Sequence, residues 1–225
     1  MTVDSIFEDK QTLKNDINEE CNDELQIKPI PLTTLYRPQA DSYRLSEVGF
    51  IVIENGWDEQ SLLALKQQTG LGTLFALQTT DKHIDRFEVI DGIIICKADE
   101  VGQVTTVFES VLSDRDKVGI DVNDIKKSCG AEKPAKFIQA RVTDIPDPEQ
   151  VKSAANHLLN QIAKGLSIEY MMLHIERNHK LSLDEFFSVT TAIESWITDD
   201  SEVFYGNRMI DKSDHCWMGA IYVAG

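Results

Sequence analysis

The chain has no hydrophobic run long enough to cross a bilayer: its longest apolar stretches, such as Ile93-Ile94-Ile95-Cys96, fall far short of the roughly 20 residues a spanning helix needs. Its first ten residues, MTVDSIFEDK, are acidic and lack the apolar core of a secretory signal, so membrane insertion is not expected and a cytoplasmic location is. Cysteine is scarce. The four present, Cys21, Cys96, Cys129 and Cys216, form no C-x-x-C pair, so neither a zinc knuckle nor a thioredoxin-type site is readable, and a reduced compartment fits. Positive charge is outnumbered, with 22 Lys and Arg against 38 Asp and Glu. The resulting net charge of −16 opposes binding to phosphate backbones and anionic lipid, which excludes nucleic acid as an expected partner. No internal repeat or low-complexity block stands out. What is present is ordinary globular material: 42% hydrophobic residues over 225 positions suffice for one large core or two smaller ones.

Residues 1 to 45 carry the weakest pattern, with acids clustered in NDINEECNDEL and prolines at Pro29, Pro31 and Pro38. Such a segment buries a face poorly and reads as a solvated, flexible tail, although Ile6, Leu13 and Ile17 have the spacing of a short docking helix. From Val48 onward, apolar runs alternate with helical stretches. VGFIVIEN, GTLFALQTT and VIDGIIICK read as buried strands, and DEQSLLALKQQ and DEVGQVTTVFESVL as helices, the signature of parallel β-α-β units. Gly70 and Gly72 stop the first helix and admit the next strand. A short helix is expected at about residues 121 to 128. Strand AKFIQARV, helix DPEQVKSAANHLLNQIAKG, strand LSIEYMMLHIERN, helix SLDEFFSVTTAIESWI and two closing strands then give the order β-α-β-α-β-β. Asp147 and Ser182 read as helix caps, the latter with Glu185 in a capping box, and Gly165 as a helix stop. The expected fold is α/β: a truncated parallel β-α-β sheet over residues 46 to 120, joined to a four-stranded sheet with two helices on one face over residues 121 to 225. Residues 131 to 225 are expected to form that sheet as a separate unit.

The segment VGIDVNDIKKSCG, residues 118 to 130, places two carboxylates three apart where a helix should begin. Residues at that spacing are neighbours on a helical surface. Gly119-Ile120-Asp121-Val122-Asn123-Asp124 resembles the loop, Asn-x-Asp-x-x-Asp, that proteins of the FtsZ family insert into the nucleotide pocket of the next subunit. Both acids match, and Gly119 stands in place of the Asn. The C-terminal end is similar to the last two strands of the same family, with Phe204-Tyr205-Gly206, then Asp211, then Val223-Ala224-Gly225 in the order of an aromatic-Gly pair, an acidic turn and a final Ala-Thr-Gly. The order of elements over residues 121 to 225 is that of the FtsZ C-terminal domain, and the resemblance extends over roughly residues 45 to 225.

One family feature is missing. FtsZ and tubulin hold nucleotide phosphates on a glycine-rich loop, GGGTGTG, between a strand and a helix, where glycines let backbone amides approach the anion. At the corresponding turn this chain reads Glu54-Asn55-Gly56-Trp57-Asp58-Glu59: one glycine, a tryptophan and three carboxylates. The residues before Val48 are also too few for the strands that complete the family's pocket. The resemblance therefore implies an FtsZ-like pseudo-GTPase, not an enzyme, with no catalytic residue, cofactor or metal. Its partner is expected to be an FtsZ-type subunit or a second copy of itself, contacted through Gly119, Asp121 and Asp124, with capping or inhibition of a cell-division polymer as the outcome. Without the resemblance, Asp121 reads as a helix N-cap and Asp124 as a first-turn acid facing the helix dipole. The alternative function is an acid-dependent hydrolase using Asp121, Asp124, Asp211 or Asp214 with a histidine, or a small-molecule-binding protein on a reused FtsZ-like fold. His174 and His179, five apart, do not have the spacing of two ligands on one strand face, and His215 beside Asp214 reads as polar surface. The tryptophans Trp57, Trp196 and Trp217 read as core or turn-covering aromatics.

Overall fold

The computed structural model describes residues 30–81, 87–113, 122–130, 133–146, 149–211 and 214–225. Among the described residues, eight strands and five α-helices follow in the order β1 (Thr33–Tyr36), β2 (Val48–Val52), α1 (Glu59–Thr69), β3 (Thr73–Gln78), β4 (Gly92–Ile95), α2 (Val101–Ser113), α3 (Val122–Ser128), β5 (Ala135–Val142), α4 (Glu149–Leu159), β6 (Ile168–Arg177), α5 (Leu183–Glu194), β7 (Ile197–Met209) and β8 (Cys216–Ala224). All eight strands lie in one sheet of order β1-β2-β3-β4-β5-β8-β6-β7. Neighbours are parallel except at β8, which runs antiparallel to both β5 and β6.

The helix ends obey local chemistry. Asp58 caps α1, accepting from the Ser61 amide at 2.7 Å, and Gly70 closes it with φ +63, a left-handed conformation that glycine adopts without steric cost. Ser182 and Glu185 form a capping box at the start of α5. The strands are nearly continuous apolar runs because both faces of the sheet are covered. On one face, α2 sets Val104, Val107, Phe108 and Val111 against Phe50, Phe75 and Ile94 from the first half of the chain and against Tyr170, Met172, Trp217 and Ile221 from the second. Phe108 meets Phe50 edge-on, with ring centroids 4.9 Å apart. On the opposite face, Leu62 and Leu65 of α1 cover Ile51, Leu74 and Ala76, while α4 and α5 cover Met171, Leu173, Met218 and Ala220. Both C-terminal helices thus lie on one face, as expected.

A short polar chain ties the two halves together. Glu100, in the 3-10 turn before α2, accepts from the Lys97 amide at 2.9 Å and from Gln139 Nε2 of β5 at 3.0 Å, and Trp217 Nε1 of β8 donates to Gln139 Oε1 at 2.8 Å. Burial pushes the Glu100 carboxyl up, but these bonds and Lys97 outweigh it and hold the group below the usual carboxylate range.

Two expectations need correction. The four-stranded sheet of residues 131 to 225 is not a separate unit: β4 pairs with β5 at Ile94↔Ala135 and Ile95↔Lys136, so VGFIVIEN and AKFIQARV belong to one continuous sheet. The cause is that α2 presents one apolar stripe to both halves and buries best against an unbroken surface. Part of the stretch of residues 1 to 45 expected to be a flexible tail belongs to the sheet: Thr33–Tyr36 pairs with β2, Tyr36 is buried and its hydroxyl donates to the Arg44 carbonyl at 2.6 Å. Residues 31 to 225 form one compact unit. The expected docking helix of residues 6 to 17, and Asp147, lie outside the described residues.

Where α2 crosses β7, a Cβ on Gly206 would collide with the side chain and backbone of Ser110. Gly206→Ala is expected to cost about 1–3 kcal/mol by overpacking. Gly102→Ala, within α2 but facing open space, is expected to be neutral or to stabilise by up to about 1 kcal/mol. Urea denaturation of the two variants checks the opposite signs.

Candidate functional site

The acidic-loop helix α3 is short, and it is held by its neighbours more than by its own propensity. Ile125 and Cys129 are buried in the core under α2, and the Cys129 carbonyl lies so close over Gly92 that no other residue fits there. Lys126 Nζ reaches Asp91 Oδ1 at 2.5 Å. Asp91 is a junction: its Oδ2 accepts from the Leu74 amide at 2.8 Å and from Lys66 Nζ of α1 at 2.9 Å. Burial raises the Asp91 carboxyl, but Lys126, the Leu74 amide and Lys66 together keep it below the ordinary carboxylate range. One carboxylate therefore links α1, β3, the start of β4 and α3.

Of the expected contact residues, Asp124 sits in the first turn of α3, partly exposed, with Lys127 Nζ 3.5 Å from its Oδ1. Gly119 and Asp121 lie outside the described residues. The face that Asp124 shares with Lys127 is thus presented by a helix whose opposite side is pinned to the sheet.

At the turn after β2, where the resemblance would place a phosphate loop, the chain closes on itself. Glu54 Oε1 accepts from the amides of Thr79 and Thr80, each at 2.8 Å, and from Thr80 Oγ1 at 3.0 Å. Burial raises the Glu54 carboxyl, and the surrounding amides more than offset it, so the group stays ionised. Gly56 takes φ +81, Trp57 turns inward onto the α1 core, and Asp58 is spent as the α1 cap. Backbone donors at the carboxyl end of β3 are thereby occupied by a carboxylate of the chain itself. Sequence reading foresaw the acidic turn but not its use, because only the fold brings Glu54 to Thr79 and Thr80.

Beside this turn, at the carboxyl ends of β3 and β4, lies a cavity of about 530 Å³ bordered by Thr80, Lys97, Glu100, Lys136 and Gln161. In open α/β sheets, ligands favour the crevice at the carboxyl ends of parallel strands. Cys96 also borders it, but burial and the charges of Glu100 and Glu54 push its thiol up to about 12, so it is no nucleophile at neutral pH. Among the described residues no group of three or more His, Cys, Asp and Glu side chains is placed to hold a metal. His174 is fully buried, edge-on to Trp217 at 5.4 Å, while His179 Nε2 contacts the Arg177 guanidinium. Asp214 stands 3.4 Å from His215, yet its side chain is 93% exposed, without the enclosure that tunes a catalytic carboxylate. No helix among the described residues is long and apolar enough to cross a membrane.

No protein-family model and no curated protein matches the chain. Solved structures are similar in fold. An FtsZ mutant from M. jannaschii aligns with a TM-score of 0.49 at 14% identity, covering 80% of this chain and 66% of that one. TubZ in GDP-form protofilaments from Bacillus thuringiensis serovar israelensis aligns with a TM-score of 0.47 at 10% identity, covering 80% of this chain and 62% of that one. CetZ from Methanosaeta thermophila aligns with a TM-score of 0.46 at 12% identity, covering 80% and 62%. The chain thus spans less than two thirds of the length of each.

Two outcomes test this geometry. Asp91→Ala leaves Lys66, Lys126 and the Leu74 amide without their shared acceptor and is expected to destabilise the chain by about 2–4 kcal/mol, read by chemical denaturation. The second concerns pH. Burial holds His174 below its ordinary value of 6.5, with Glu176 opposing the shift and Arg208 adding to it. The unfolded chain therefore binds the proton first as pH falls, and stability drops below about pH 6.5 and levels off beneath the folded value. The urea midpoint should fall between about pH 7.5 and about pH 5.5, and His174→Phe should remove that component of the slope.

Proposed function

We propose that this chain is an FtsZ-like pseudo-GTPase that docks onto an FtsZ-type subunit, or onto a second copy of itself, and restrains polymer assembly in cell division. The observation that carries the reading is an asymmetry. The turn after β2 is closed by Glu54, Trp57 and Asp58, whereas α3, bearing Asp124, is rigidly supported through Lys126 and Asp91. Head-to-tail assembly uses two different faces of each subunit, and a subunit able to offer one of them ends the filament it joins. In the family resemblance the loop acids help orient the attacking water in a neighbour's pocket, a role requiring close approach. Gly119, where the family has Asn, removes a hydrogen-bonding side chain from that loop, which favours occupation of the pocket over efficient hydrolysis.

A second reading rests on the cavity at the ends of β3 and β4. Its size suits a small organic molecule, and Lys97 and Lys136 balance Glu100 at its rim. In that case the fold serves small-molecule binding and α3 is only a capped helix.

Isothermal titration with GTP and GDP is expected to give no binding, and micromolar affinity would restore an active GTPase. Added to polymerising FtsZ, the protein should shorten filaments or slow assembly. The Asp121→Ala/Asp124→Ala double variant should lose most of that effect while keeping its circular dichroism spectrum. Unchanged polymer length and GTP turnover at several-fold excess of the protein would favour the second reading.

A further inference from the structure

Among the described residues, several basic side chains gather at one place away from α3. At the carboxyl ends of the parallel strands β6 and β7, a pocket of about 210 Å³ is bordered by Arg177, His179, Lys180 and Arg208, with Asn207 beside them. Leu181 and Met209 supply an apolar wall.

The charges in the pocket are unequal. Arg177 is buried at 2% exposure, and its guanidinium is held by Glu185 Oε1 on one side and His179 Nε2 on the other. His179 Nε2 faces a guanidinium N–H and so accepts, while its Nδ1 donates to the Lys180 carbonyl at 3.2 Å. This triad fixes the rear of the pocket. At the mouth, Lys180 and Arg208 are exposed and neither forms an ion pair with any described residue. Glu176, the register partner of Arg208 on β7, is turned toward His174, with Oε2 3.6 Å from Nε2. Three cationic side chains, Arg177, Lys180 and Arg208, thus border the pocket, and among the described residues no carboxylate lines it, in a chain whose net charge is −16. Such an arrangement is costly to fold through mutual repulsion unless an anion shares it.

We propose that this pocket binds a phosphate group, either free phosphate or a small phosphomonoester. The donor set favours phosphate: the ammonium of Lys180 supplies rotatable N–H groups, the Arg208 guanidinium a planar fork, and the Asn207 amide a neutral donor, which suits an anion with several oxygens. The wall of Leu181 and Met209 accommodates the organic part of an ester. No described residue of α3 lines this pocket.

The test titrates the full chain calorimetrically with inorganic phosphate and with O-phosphoserine, at constant ionic strength against chloride. Saturable binding is expected for at least one of them. Tighter binding of O-phosphoserine assigns a phosphomonoester, and equal or weaker binding assigns free phosphate. The Lys180→Ala/Arg208→Ala variant, altered only at exposed positions and verified by an unchanged urea midpoint, should weaken the interaction by about tenfold or more, as the loss of two charge-assisted contacts implies. Absence of saturable binding for both probes, or an affinity unchanged in the verified variant, overturns the proposal.

Discussion

The packing of α2 against a single face of the sheet is the constraint on which the rest of the molecule depends. Its stripe of Val104, Val107, Phe108 and Val111 touches β2, β3 and β4 from one half of the chain and β6 and β8 from the other. Burying a large aliphatic or aromatic side chain is worth about 1.5–3 kcal/mol, so a helix with such a stripe binds tightly only to a continuous surface. The junction of β4 with β5 supplies that continuity through two register pairs, and Glu100, Gln139 and Trp217 reinforce it with hydrogen bonds that cross between the halves. Gly206 follows from the same constraint, since α2 passes too close to β7 to admit a side chain there.

Asp91 plays the corresponding part for the candidate site. A seven-residue helix is too short to hold itself in water. Here α3 is kept in place by Ile125 in the core, by the Cys129 carbonyl seated over Gly92, and by Lys126 on Asp91. Because the carboxylate also receives Lys66 and the Leu74 amide, movement of α3 would disturb α1 and β3. The exposed side of α3 is therefore presented from a rigid base, which is what a docking element needs to avoid a large ordering cost on binding.

Much of this was legible in the amino-acid sequence, for identifiable reasons. Every strand from VGFIVIEN onward and each helix from DEQSLLALKQQ onward occurs near its expected place, because buried strands carry unbroken apolar runs and helix ends carry strong local signals, such as Asp58, Gly70 and Ser182 with Glu185. Thr33–Tyr36 escaped because four residues among prolines and acids hold no periodicity; that strand is made by its neighbour β2 and not by its own pattern. The continuity of the sheet escaped for a related reason. Ile94↔Ala135 is a long-range pairing, and nothing local in GIII or AKFIQARV distinguishes a partner in the same unit from an open edge. The roles of Asp91 and of Arg177 with Glu185 were equally invisible, since each is an ordinary charged residue until the fold brings its partners within reach.

The turn after β2 shows why composition and geometry must be read together. Three carboxylates in six residues suggest simple repulsion of an anionic ligand, yet each has a different task. Asp58 caps α1 through the Ser61 amide, Glu59 opens the helix where its dipole favours an acid, and Glu54 reaches across to Thr79 and Thr80. A phosphate at a strand-to-helix turn is bound by backbone amides of that turn that converge on it, whereas here a carboxylate of the turn, Glu54, reaches out to accept the Thr79 and Thr80 amides after β3. An anion seeking the Thr79 and Thr80 amides would have to displace this ionised side chain. The same logic bears on the proposed anion site at the far end of the sheet, where Lys180 and Arg208 border a pocket that no described carboxylate lines and Glu185 is committed to Arg177.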